Sequence, residues 1–266
     1  MQTSATRSGT RSILRVQCDV LIALILRDVR TRFFGHGAGY LIAVAWPLAH
    51  IAILLFIYAA AGRVAPQGGS QTLYITVALA PVMAFIYSSR WIMLSAVMNK
   101  PLLGFPLVKL FDVLFARSIL ETLCSCLMVI VLAAVLTACG IDVRPRSSPD
   151  AFKAMAAAML LGIGIGFVNG LLALLAPLWV TGYALLIIVI YMTSGVLFVP
   201  EALPEQARYV LSFNPILHAV EWMREAYYGV HSRTLDKTYL LGFGSISLFI
   251  GLVSMRFGRA FLLHSR

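Results

Sequence analysis

Few residues in this 266-residue chain could perform chemistry, and their spacing rules most reactions out. There is no GxxxxGK run followed by Ser or Thr to cradle phosphates, no HExxH zinc pair, no CxxC and no GxSxG elbow. Cys18, Cys124, Cys126 and Cys139 form no metal motif; Cys124 and Cys126 are two apart on an expected helix and point away from each other. They read as free thiols. Gly162, Gly164 and Gly166 (GIGIG) sit in a long apolar run, where glycines serve close helix packing better than phosphate binding. His50 lies deep inside an apolar run, and it has no evident acidic partner for proton relay. Glu221 and Glu225 are the nearest approach to a carboxylate pair, and a short amphipathic helix already accounts for them. Catalytic residues and metal ligands are therefore expected to be absent. The most distinctive constellation is Asn214-Pro215-x-x-His218-x-x-Glu221-x-x-Arg224. Its spacing places a cap, a first-turn proline and an i,i+3 ion pair on one helix.

The elements that would carry these residues follow from composition. Hydrophobic residues make up 60% of the chain, charged residues only 12%, and the mean hydropathy is +0.89. A soluble domain needs roughly 25% charged residues, so lipid must be the solvent. The net charge of +10 would suggest nucleic acid in a soluble protein. Here it fits the basic cytoplasmic loops of a membrane protein, and no nucleic-acid partner is expected.

A crossing needs about 20 apolar residues. Stretches free of Asp, Glu, Lys and Arg predict spans at 33–62, 64–89, 122–141 and 238–255, and the run 154–200 predicts two more, joined by a turn around Ala176–Val180. The fold class expected is all-α integral membrane with six transmembrane helices, and no Asp or Glu inside a span. Ion-coupled transport is disfavoured by that lack. Six spans place both termini on one side. If that side is cytoplasmic it holds thirteen of the 21 basic residues, and six arginines precede the first span. The positive-inside rule then favours cytoplasmic N- and C-termini.

Three segments do not span. Residues 11–34 pattern as a helix with a basic face, suited to the cytoplasmic interface, or as an anchor for the first span. Ser95–Arg117 is broken by Pro101 and Pro106 and carries Leu102, Leu103 and Phe105, which are poorly suited to water. It must fold back on the membrane or dock to a partner, and docking is the better reading. Residues 201–237 contain two helical patterns, Gln206–Phe213 and Pro215–Tyr228, which suit a re-entrant hairpin in the outer leaflet.

With these residues in view, the chain resembles the type-2 ABC exporter permeases, and among them the capsular-polysaccharide branch. LRDVRTRF (26–33), GHGAGYL and WPLAHI (46–51) resemble the family's N-terminal block. SGVLFVPEALP (194–204) and FNPILHAVEWMREAYY (213–228) resemble its more specific C-terminal block. Two positions depart: Trp46 stands where members often carry an acidic residue, and Ile42 where they often carry Trp.

The resemblance implies a non-enzymatic transport subunit of the bacterial inner membrane. It implies a homodimer of permeases served by two ATP-binding subunits that use ATP and Mg, with no cofactor in this chain. It divides the chain into a cytoplasmic N-terminus with a gate helix (1–36) and a transmembrane domain (37–266). The gate helix would use Arg27, Asp28, Arg30, Arg32 and Phe33. A coupling loop (95–112) would present Asn99, Lys100, Pro101, Phe105, Pro106 and Lys109 to the ATPase. A periplasmic gate (201–228) would use Asn214, Pro215, His218, Glu221 and Arg224. A periplasmic co-polymerase-type adaptor and an outer-membrane export protein would complete the route. Aromatic rings stack on sugar faces, so Tyr58, Tyr87, Trp91, Tyr183, Tyr191, Trp222 and Tyr227 are candidate channel lining, against the competing role of such residues in interface belts. O-antigen or teichoic-type polymers, a small hydrophobic drug or lipid, and an integral-membrane transferase are the alternative readings.

Overall fold

The computed structural model describes residues 3–31, 39–62, 70–105 and 107–264. Among them the architecture is all helical, with α1 (Thr3–Thr31), α2 (Gly39–Ala60), α3 (Gln71–Met98), α4 (Leu110–Ala138), α5 (Ser148–Leu175), α6 (Trp179–Met192), α7 (Glu205–Leu211), α8 (Pro215–Tyr228) and α9 (Lys237–His264). Arg32, Phe33, Pro106 and the expected boundary at residue 36 lie outside the described residues.

Among the described residues five helices contain apolar stretches long enough to cross a membrane, in α2, α3, α4, α5 and α9. The expected turn is where the sequence placed it, between Leu175 and Trp179. The helix after it is shorter than expected. Its 14 residues rise about 21 Å, less than the ~30 Å hydrocarbon thickness. It stops because the chain turns at Ser194–Gly195, where Gly195 adopts φ +79°, a conformation that disfavours side chains. Two other boundaries also moved. The second apolar helix continues past Arg90 to Met98, and the third begins at Leu110 rather than near Glu121. Asp112, Arg117 and Glu121 thus lie in α4, so the expectation of acid-free helices holds only for its later turns. At 29 residues α4 is about 43 Å long, enough for those first turns to project beyond the hydrocarbon.

The centre of the bundle is α3 against α5. In α3, 78% of the apolar stretch is buried within the protein, against 22% for α9. The core joins Ile75, Leu79, Val82 and Phe85 of α3 to Ala154, Ala158 and Leu161 of α5, Met128 and Leu132 of α4, and Ile216 and Val220 of α8. GIGIG explains the closeness. Gly162 and Gly166, one turn apart, face Ser88 and Ile92 of α3, while Gly164 faces α9. A methyl on Gly164 would stand 2.7 Å from the Gly244 carbonyl and 2.8 Å from the Leu248 amide, both backbone and unable to yield. α5 is a helix pressed between two others, which only small residues permit. The serines of α3 satisfy their hydroxyls locally: Ser88 donates to the Phe85 carbonyl at 3.1 Å and Ser95 to Ile92 at 2.7 Å.

Gly164→Val is expected to destabilise the detergent-solubilised protein by roughly 1–3 kcal/mol through overpacking. Gly242→Ala should be near neutral, because nothing lies within 4 Å of the added carbon. Thermal unfolding of both variants checks this; equal midpoints would show that the α5–α9 contact is not tight.

Candidate functional site

The two ends of α3 carry the residues singled out in the sequence. At its C-terminal end the chain leaves through Asn99, makes a short 3-10 turn over Lys100–Gly104, and enters α4 after Lys109. Pro101 opens that turn, as its fixed φ allows. The entry to α4 is capped from within: the Asp112 carboxylate accepts the Lys109 backbone N–H at 2.9 Å. Phe105 is 60% exposed and Leu107 63%, so the apex of the loop is bare apolar surface. Leu102 and Leu103 turn inward instead and pack with Leu24 of α1 and Val113 and Ala116 of α4.

α1 is fastened to both ends of this loop. The Arg27 guanidinium donates to the Asn99 side chain, where α3 ends, and the Gln17 amide donates to Asp112, where α4 begins. Asp28 faces Arg117 at 3.5 Å, and Arg117 pairs with Glu121 at 2.8 Å and lies 5.0 Å over the Trp91 ring. Arg117 and Glu121 are buried, so each charge requires the other. Arg30 is exposed, one turn beyond this contact. Asn99, Asp28 and Arg27 are therefore brought together, while Phe105, Pro101 and Lys100 stand free of them. The tie through Gln17, Arg117 and Glu121 was missed in the sequence, because α4 was expected to start later.

At the other end of α3, α7 is followed closely by α8, and the whole Asn-Pro-x-x-His-x-x-Glu-x-x-Arg run has a structural use. Asn214 caps α8, its oxygen accepting the Ile216 N–H at 3.2 Å. Its amide donates backwards to the Ile190 carbonyl at 2.9 Å and the Thr193 hydroxyl at 2.8 Å, fastening α8 to the end of α6. Pro215 is the first helical residue, as expected. The Asp236 backbone N–H donates to His218 Nδ1 at 3.0 Å, so Nε2 must carry the proton that bonds the Ser212 carbonyl at 2.8 Å. This neutral tautomer ties α8 to the residue just after α7 and to the residue just before α9. Burial pushes the His218 imidazole down from its ordinary value. Arg224 pairs with Glu221 at 2.7 Å, and its guanidinium lies 4.6 Å over the Tyr74 ring of α3. Burial pushes the Glu221 carboxyl up, and the Arg224 charge opposes that. Glu225 meets Lys237 at 2.9 Å and His231 at 3.0 Å. Both carboxylates that might have suited a transferase are thus held in ion pairs.

The family profile described as ABC-2 type transporter matches residues 19–228, a span that runs from α1 to the end of α8. The chain belongs to the ABC-2 type transporter family. It is 30% identical over 247 residues to the polysialic acid transport protein KpsM of Escherichia coli, covering 92% of this chain and 96% of that one. It is 25% identical over 252 residues to the capsule polysaccharide export inner-membrane protein CtrC of Neisseria meningitidis, covering 92% and 94%. The corresponding BexB of Haemophilus influenzae is 25% identical over 253 residues, covering 91% and 92%.

Within this ABC-2 chain the candidate lining aromatics fall into two groups. Tyr183 is buried and donates to Ser89 at 2.7 Å, and with Trp179, which donates to Asn169 at 2.9 Å, it holds α6 against α3 and α5. Trp222 is buried with Lys237 5.1 Å over its ring, and Tyr191 faces His50 of α2 at 6.0 Å. Tyr58, Tyr87, Trp91 and Tyr227 are half-buried. Among the described residues no group of His, Cys, Asp or Glu is placed to hold a metal ion, and all four cysteines are free.

Asp28→Asn and Arg117→Gln should each loosen α1, and together should show a coupling energy of roughly 0.5–3 kcal/mol. A double-mutant cycle read by hydrogen exchange of the α1 amides measures it; additive effects would mean that the pair carries no tie. A second expectation concerns acidity. Because the His218 value is lowered on folding, the unfolded chain takes the proton more readily. The stability His218 contributes is present above about pH 6.5 and falls as pH drops below it. The thermal midpoint should fall more between pH 7.5 and 5.5 in the unmodified protein than in His218→Gln; equal losses count against the clamp.

Proposed function

We propose that this chain is the permease subunit of an ATP-driven exporter that moves capsular polysaccharide across the bacterial inner membrane. The observation that carries the reading is the loop between α3 and α4. Its apex presents Phe105 and Leu107 to solvent, while both of its ends are fastened to α1. An exposed apolar apex on an anchored base suits a contact that receives force from another protein. The family membership and the names borne by the relatives in E. coli, N. meningitidis and H. influenzae support both the transport and the substrate class.

On this reading two permease copies pair, and two separate ATP-binding subunits use ATP and Mg, dock on 95–112 and drive the cycle. Residues 1–36 are the cytoplasmic N-terminus, whose gate helix acts through Arg27, Asp28 and Arg30, with Arg32 and Phe33 next in the sequence. Residues 37–266 form the transmembrane domain. α6 with the residues after it makes the sixth crossing, and 201–228 is a re-entrant periplasmic gate. Both termini are cytoplasmic, in keeping with the excess of basic residues on that side. Tyr58, Tyr87, Trp91, Tyr191, Trp222 and Tyr227 are candidates to line the sugar path, with Tyr183 supporting them from behind. A periplasmic adaptor and an outer-membrane export protein take the polymer onward. ATP binding in the partner pushes the loop, and the Arg27–Asn99 and Asp28–Arg117 contacts carry the motion into α1, α3 and α4.

Phe105→Ala and Lys109→Ala are expected to reduce polymer-dependent ATPase activity of the purified complex by about tenfold, the weight of one central interface contact. Membrane insertion should be unchanged. Full export by a variant with residues 99–109 replaced by a Gly-Ser linker sinks the proposal.

A further inference from the structure

Between α7 and the start of α9 lies an open cleft of about 970 Å³. Its floor is rigid. Tyr239 packs edge-on against His218 with ring centroids 5.1 Å apart, and its hydroxyl donates to the Phe213 carbonyl at 2.9 Å. One wall is the ring pair Tyr209 and Phe213, edge-on at 5.2 Å and both well exposed.

The charges lining the cleft divide by what already occupies them. Asp236 is committed to capping α9, accepting the Tyr239 N–H at 2.8 Å, and Lys237 is committed to Glu225 at 2.9 Å. Arg208 and Arg233 have no ion-pair partner among the described residues, and the buried Arg208 Nε makes no hydrogen bond there. Glu205, one helical turn before Arg208, makes no ion pair with it. Two guanidiniums and one carboxylate thus remain to receive a ligand, beside exposed aromatic rings.

We infer that this cleft binds a carboxylate-bearing sugar unit of the exported polymer as it leaves the membrane. A guanidinium meets a carboxylate with two parallel hydrogen bonds. Glu205 accepts sugar hydroxyls, and the Tyr209 and Phe213 faces take the C–H side of the ring. A bare phosphate or a lipid headgroup uses the two arginines but gains nothing from Glu205, which repels it. The volume matches that of sites for small ligands. This inference rests on the export reading and on its placing of α7 and α8 in a gate at the periplasmic face; it adds a chemical preference and a location to that reading.

The test is equilibrium binding to the full-length chain in nanodiscs of neutral lipid, with trigalacturonate, maltotriose and inorganic phosphate as probes. Trigalacturonate should bind, and Arg208→Gln and Arg233→Gln should each weaken it about tenfold. Arg233 is exposed, so its variant keeps the test open should Arg208→Gln fold poorly. Maltotriose and phosphate should bind far more weakly. Three results overturn the inference: maltotriose binding as well as trigalacturonate, phosphate or anionic-lipid nanodiscs competing at equal strength, or binding indifferent to both arginines. If any of these is found while the complex with its ATPase still exports, the cleft assignment falls and the export reading stands.

Discussion

Lipid gives helices no hydrophobic reason to associate, because hydrocarbon chains are as apolar as leucine. What holds this protein together is therefore the closeness of α5 to α3 and α9, and that closeness depends on Gly162, Gly164 and Gly166 facing two partners alternately. Everything else is referred to this sandwich. α4 and α8 pack on α3, and α6 is joined to α3 and α5 through Tyr183–Ser89 and Trp179–Asn169. With backbones in contact, dispersion over many atoms replaces the missing solvent term.

The same scarcity of water governs the two ends of α3. An unpaired polar group in an apolar setting costs several kcal/mol, so the polar residues there form ties. At the α8 end, Asn214 satisfies three groups on two elements and His218 two more, giving a knit that holds α6, α8 and α9 in one arrangement. At the loop end two hydrogen bonds and one ion pair reach α1, an element outside the sandwich.

The two departures from the family pattern have a common location. Ile42 and Trp46 are four apart on α2, and both are exposed. They alter an outward face of the peripheral helix and leave the sandwich as it is. Their effect falls on whatever that face meets.

Much of this was legible in the residues. Low charge and long apolar runs determined an all-helical membrane protein, because lipid accepts no unpaired backbone. The Asn-Pro-x-x-His-x-x-Glu-x-x-Arg spacing determined a capped helix with an internal ion pair, since both are local and depend only on helical geometry. The break at Pro101 was equally local. The tertiary structure alone decided three things. One was that α6 stops after 14 residues, since its end depends on the turn at Gly195 packing against Leu217 of α8. Another was that α4 begins at Leu110, with Asp112 and Arg117 of its first turns met by Gln17 and Asp28 of a distant segment. The third was that Arg208 and Arg233, 25 residues apart, face one cleft. Each of these rests on partners remote in sequence. Period and composition describe what a segment prefers by itself; which charges find partners, and which are left free, is decided by what folds against it.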